Sequence, residues 1–201
     1  AIAVRILEFG EATIDKLWLV KKLQLAQKKR LLLGFGLKKP TTGYRLIFGE
    51  ADGLPGLVVD CYEDVLVMQV STMGMEILKP ILLEALLEVF RPRAIVERSD
   101  IAVRKEEKLP ESTGILCGSD PDFVQFLEYG QLFFADVLHG QKTGFFLDQK
   151  ELRQSIRQLA SGRKIINLFS YSAAAAVWAL IGDAEMVLNV DSSKEALVLA
   201  E

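Results

Sequence analysis

The chain has 201 residues, half of them hydrophobic, which is enough to bury a sizeable core and to hold more than one structural unit. Two cysteines, Cys61 and Cys117, and one histidine, His139, exclude a disulfide framework and leave a metal centre almost without ligands; no apolar run approaches the roughly 18 residues of a membrane span and no signal-peptide layout opens the chain, so a cytoplasmic protein with no metal and no membrane partner is expected. The net charge is −3, yet the first 45 residues hold ten Lys or Arg against three Asp or Glu, +7, leaving −10 for the rest, a pointer to an anionic partner at the N-terminal end.

Ala1 to Glu11 alternates, with Ile2, Val4 and Ile6 on one side, and predicts a half-buried strand, the last of a domain that would precede it. Asp15 is a good N-cap and Gly34 a good stop for a helix whose Leu19, Val20, Leu23 and Ala26 share one face. Lys21, Lys22, Lys28 and Lys29 gather on another, either as a solvated face or as contacts to phosphates. Residues 38–43 read as a linker. Tyr44 to Phe48, Leu57 to Cys61 and Val65 to Val70 are strand-like runs joined as two hairpins. Met75 to Phe90 has the spacing of an amphipathic helix, with Pro80 expected near its first turn. Ala94 to Glu97 and Ile115 to Cys117 read as strands, and Arg98 to Lys108 between them as an exposed connection within reach of RNA.

Phe123 to Tyr129 and Gln131 to Val137 predict a hairpin about Gly130. It leads into His139 to Gln149, where two glycines flank Gln141, Lys142 and Thr143, and Asp148 with Glu151 forms a D-x-x-E capping box for a helix turning Leu152, Ile156 and Leu159 inward. Polar groups delivered to a helix N-terminus suit an anion or carboxylate, or the loop only caps its own helix. From Ile165 to Asp191 the chain reads buried strand, turn of small residues, helix closed by Gly182 in a left-handed cap, and second strand: a βαβ unit. Asp191 follows Asn167 by 24 positions, where an open parallel sheet places a carboxylate against ribose hydroxyls. Phe169 and Tyr171 occupy the places of the first glycines of the dinucleotide fingerprint, which disfavours NAD. A βαβ unit that binds nothing is the alternative.

G-Q-K-T-G-F-F-L-D-Q at 140–149, N-L-F-S-Y-S at 167–172 and V-D-S-S at 190–193 resemble the class I S-adenosylmethionine-dependent methyltransferases that make 5-methylcytosine in 23S ribosomal RNA. G-E-A-D-G-L-P-G-L-V-V-D at 49–60 and E-R-S-D at 97–100 are similar to the same family's central domain. The resemblance implies an α/β chain in three parts: residues 1–33 as the tail of a PUA-type RNA-binding domain with a basic linker helix, 41–118 as a β-rich α+β central domain, and 119–201 as the first βαβ part of a Rossmann-like methyltransferase domain. It implies S-adenosylmethionine as cofactor and ribosomal RNA as partner, with a homodimer left open. It also implies cofactor contacts from Gln141, Lys142, Thr143, Gly144 and Phe146 as a lid, from Asn167, Phe169, Ser170, Tyr171 and Ser172 at the methionine end, and from Asp191 at the ribose.

In that family a cysteine thiolate adds to cytosine C6 so that C5 can attack the methyl group. The catalytic cysteine region is expected beyond Glu201, no catalytic residue is assigned within the chain, and the 201 residues alone are expected to be inactive. Ala173 and Ala174 stand where the family usually has a glycine pair, which is expected to weaken cofactor affinity. The alternative is a non-catalytic RNA-binding or accessory module that retains the fold.

Overall fold

Asp15 starts the first helix. In the computed structural model, which describes residues 4–119, 121 and 123–200, its carboxylate accepts the Trp18 backbone N–H at 2.8 Å and caps α1 (Lys16–Leu32). Leu19, Val20, Leu23 and Ala26 are buried along one stripe, as the spacing requires. The chain divides into two units, Ala1–Phe145 and Phe146–Glu201.

In the first unit, β1 (Gly43–Phe48), β2 (Leu57–Tyr62), β3 (Val65–Val70), β4 (Ala94–Ser99) and β5 (Ser112–Gly118) form a five-stranded sheet in that order. Only β3 and β4 pair in parallel. A parallel pair needs a crossover, and α2 (Met73–Phe90) supplies it. Leu82 and Leu86 of α2, Leu19 and Leu23 of α1, and Leu46, Leu66 and Met68 of the sheet meet in one buried core. Thr72 caps α2 ahead of Met73, so Pro80 lies in the helix interior rather than near its first turn and removes one bond, that to the Glu76 carbonyl.

Three expectations for this unit are corrected. Residues 4–11 form no strand, and Ala1 to Ala3 lie outside the described residues. The alternation is inverted: Val4 and Ile6 are 77% and 61% exposed, whereas Arg5 pairs with Glu107 at 3.1 Å and Leu7 packs on the core. In the expected linker, Thr41 and Thr42 are buried, their hydroxyls accepting the backbone N–H groups of Tyr129 and Leu127 at 3.0 and 2.8 Å. In the expected exposed connection, Arg98, Ser99 and Arg104 are buried. Arg104 is satisfied by the Val70 and Pro110 carbonyls, both at 2.7 Å, and by Glu76 at 2.9 Å, so its charge is consumed inside the fold.

The hairpin of β6 (Val124–Glu128) and β7 (Gln131–Ala135) is antiparallel. Its Phe126 meets Tyr62 and Phe145 edge-on, with ring centroids 5.2 and 4.9 Å apart, the arrangement that aligns positive ring edges with negative faces.

The second unit holds α3 (Lys150–Leu159), β8 (Lys164–Leu168), α4 (Ala174–Ile181), β9 (Met186–Val190) and α5 (Lys194–Ala200). β8 and β9 pair in parallel across α4, which is the expected βαβ unit. Four details differ. A 3-10 turn over Leu147–Gln149 precedes α3, so the N-cap is Gln149, which makes no side-chain cap bond, rather than Asp148. Leu152 and Leu159 are exposed while Arg153 is buried and donates to the Phe146 carbonyl at 3.1 Å. Neither strand is buried, because Ile166, Leu168, Leu188 and Val190 are exposed on one face. Gly182 has φ −88 rather than a left-handed conformation; its missing Cβ makes room instead for the Arg157 carbonyl of α3.

The architecture is therefore mixed α/β, with the larger sheet in the first unit and the βαβ element in the second.

Candidate cofactor site

The strand ends of the βαβ unit carry most of the predicted residues. After Leu168 the backbone turns through three left-handed residues that are not glycine, Phe169 (φ 55), Tyr171 (φ 47) and Ala173 (φ 57). L-residues pay for that conformation, so the turn is held from outside. Ser170 donates its N–H to the Val190 carbonyl at 3.1 Å, and Ala173 closes the turn on the Ser170 carbonyl at 2.9 Å. Asp191 fastens the middle: its carboxylate accepts the N–H of Tyr171 at 2.7 Å and that of Ser193 at 2.9 Å. The Ser193 and Tyr171 N–H groups hold the Asp191 carboxyl below the usual carboxylate range, so it is ionised at neutral pH.

Two oxygens offer about four acceptor positions, and these two bonds leave the carboxylate able to receive hydroxyl donors. The Ser170 hydroxyl is buried and has no partner among the described residues, a cost that a ligand group would remove. Phe146 stands edge-on to Tyr171 at 5.4 Å, and Phe169 is 92% exposed. Ser172 is half-buried in the turn. Asn167 differs from expectation in its use: its amide donates to Asn189 at 2.9 Å across the β8–β9 register.

The remaining predicted residues, 141–144, belong to the first unit. Gln141 and Lys142 are exposed there, whereas Thr143 and Gly144 are buried. The Thr143 hydroxyl donates to Asp60 at 2.7 Å and lies 3.0 Å from the Tyr62 hydroxyl. Asp60 and Tyr62 were not singled out from the sequence. The available signal was a carboxylate within the otherwise apolar run of β2.

Of the basic residues of α1, Lys22 pairs with Glu8 at 2.9 Å and Lys29 lies 3.6 Å from Asp52. Lys21 and Lys28 are exposed and make no ion pair among the described residues. No group of three or more His, Cys, Asp or Glu could hold a metal among the described residues, and no helix among them is long and apolar enough to cross a membrane. Burial pushes the Cys61 thiol up to about 12, which leaves it a neutral thiol at physiological pH.

A family described as S-adenosylmethionine-dependent methyltransferase matches residues 85–200. The chain is 40% identical over 192 residues to ribosomal RNA large subunit methyltransferase I of Yersinia pseudotuberculosis, an alignment covering 95% of this chain and 48% of that protein. It therefore spans about half the length of the curated relatives it matches. Among solved structures it is similar to a protein of Streptococcus mutans described as a SAM-dependent methyltransferase, at TM-score 0.82 and 26% identity over 97% of this chain and 50% of the other. A methyltransferase structure complexed with SAH matches at TM-score 0.81 and 26% identity, covering 95% of this chain and 48% of that one.

Proposed function

Because the chain belongs to the S-adenosylmethionine-dependent methyltransferase family, we propose that it forms the cofactor-binding part of an enzyme that methylates C5 of a cytosine in large-subunit ribosomal RNA. The observation that carries the cofactor assignment is the turn over residues 169–173, with the unpartnered Ser170 hydroxyl and the ionised Asp191 at one strand end. Asp191 would accept from the ribose hydroxyls, and Asn167 to Ser172 would face the methionine end. Gln141 and Lys142 would add side-chain contacts, Thr143 and Gly144 would offer only backbone, and Phe146 would add an apolar wall. The bound cofactor supplies an electrophilic methyl group on a sulfonium.

The RNA assignment rests on the ribosomal RNA relative and on the exposed lysines of α1. Cytosine C5 as the acceptor rests on the motif resemblance. The division at residues 1–33, 41–118 and 119–201, with a PUA-type remnant first, likewise rests on resemblance. No catalytic role is assigned to Cys61, which is buried in β2 and matches no catalytic motif. The second reading is the non-catalytic module; Ala173 and Ala174, in place of a glycine pair, are both buried, and Ala173 carries its methyl group against protein.

The test is transfer from labelled S-adenosylmethionine to unmodified large-subunit RNA by the full-length gene product, followed by nucleoside analysis. Label in 5-methylcytidine is expected. Label in another nucleoside would refute the acceptor, and cofactor binding without any transfer would favour the accessory module.

A further inference from the structure

The loop from Gly140 to Gly144 is held by side chains far from it in sequence. On one side the Thr143 hydroxyl is inserted between Asp60 and Tyr62 of β2, and Asp60, itself 1% exposed, is gripped by Arg45 of β1 at 2.9 and 3.0 Å. On the other, the buried Arg98 of β4 donates to the carbonyls of Val137 at 3.3 Å and Gly140 at 2.9 Å, while Asp100 steadies the same guanidinium at 3.3 Å. The loop has little freedom between these holds. Lys142 has φ 55, and Gly144 has φ 115 with no room for a Cβ against the Asp136 carbonyl and Val137. A left-handed lysine persists only where its surroundings over-determine it.

We propose that Asp60, acting through Thr143, and Arg98, acting through the Val137 and Gly140 carbonyls, are positioning residues that hold the Gly140–Gly144 loop in its cofactor-binding conformation. This rests on the cofactor reading above. It also changes the part played by Thr143, whose hydroxyl is turned into the protein and consumed there. The chemistry favours arginine at 98, since two carbonyls and a carboxylate need a planar fork with several donors, which an ammonium lacks.

The test is calorimetric titration of S-adenosylhomocysteine into the full-length gene product and its variants, with thermal melts of each. Thr143→Val and Arg98→Lys are expected to lose affinity by about tenfold, the scale of one hydrogen bond. Thr143→Ser, which keeps the hydroxyl, is expected to bind within about twofold of wild type. Leu82→Ala, in the core away from the loop, is the control for lost stability alone and is expected to retain affinity. Wild-type affinity in Thr143→Val, or an equal loss in Leu82→Ala, would overturn the inference while Asp191→Asn still weakened binding. Failure of wild type to bind would overturn the cofactor reading and the inference with it.

Discussion

The Asp191 carboxylate accepts the backbone N–H of Tyr171 at 2.7 Å, twenty residues back in the chain. The same side chain proposed for the ribose thus also fixes the turn proposed for the methionine end, and its second oxygen receives the N–H of Ser193. Asp191→Asn keeps the shape but presents an NH2 group to one of these donors. The expected result is a lower melting temperature together with a loss of S-adenosylhomocysteine affinity of at least about tenfold. Were Asp191 only a helix cap, asparagine would serve nearly as well and both quantities would stay put.

Arg30 and Asp52 form a second test, one of stability. The guanidinium meets the carboxylate through two bonds of 2.7 and 2.6 Å, and Asp52 also accepts the Phe48 N–H at 2.8 Å. Burial alone would raise the Asp52 pKa, but the bonds and charge of Arg30, with the Phe48 N–H, bring it below the ordinary carboxylate value. Asp52→Asn leaves Arg30 without its counter-charge and is expected to cost about 3 kcal/mol in urea denaturation at pH 7. Because the folded pKa is depressed, this stabilisation is complete above the unfolded value of about 4 and disappears as pH falls through the lower folded value. The gap between wild type and Asp52→Asn should therefore begin to narrow below about pH 4 and close only once pH is below the folded value. A gap independent of pH would assign the loss to packing.

The lysines of α1 predict a difference within one helix. Lys22 and Lys29 are partly neutralised by Glu8 and Asp52, whereas Lys21 and Lys28, two turns apart, project into solvent. If the helix touches phosphates, replacing Lys21 and Lys28 by Gln should lower the slope of log affinity against log salt by about 1.4 on single-stranded RNA, at about 0.7 per phosphate. The Lys22 and Lys29 pair should lower it less. Unchanged slopes for both pairs would return the helix to a solvated face.

What the sequence disclosed follows the range of the interactions involved. The run from Val65 to Val70 was legible to the residue, since a β-branched run bounded by turn residues is a local signal. The βαβ unit was legible for the same reason. Arg98 and Arg104 were not, because a charged stretch reads as solvated until carbonyls up to 42 positions away receive its donors. The D-x-x-E pattern at Asp148 places the N-cap one residue early, because one 3-10 turn sets the helix start at Lys150. Asp60 and Thr143 are 83 positions apart, and only the folded register of β1 on β2 reveals why a carboxylate occupies an apolar strand.

Ala173 offers the sharpest test of the turn itself. It sits at φ 57 and ψ 24, where an alanine costs about 1 to 2 kcal/mol more than a glycine. Two opposing effects accompany Ala173→Gly: added freedom of the unfolded chain, about 0.4 to 1 kcal/mol, and one lost buried methyl, about 0.8 kcal/mol. The sum is near zero, so its melting temperature should match wild type. Ala174→Gly differs, because Ala174 is the first residue of α4 with nothing left-handed to relieve. There the helix penalty of about 1 kcal/mol and the lost methyl add, and a clear fall in melting temperature is expected. Affinity separates strain from access. Ala173 is 3% exposed, so its methyl group is packed against protein rather than facing a ligand, and Ala173→Gly should bind S-adenosylhomocysteine within about twofold of wild type. A large gain in affinity would mean that the alanine does obstruct the cofactor.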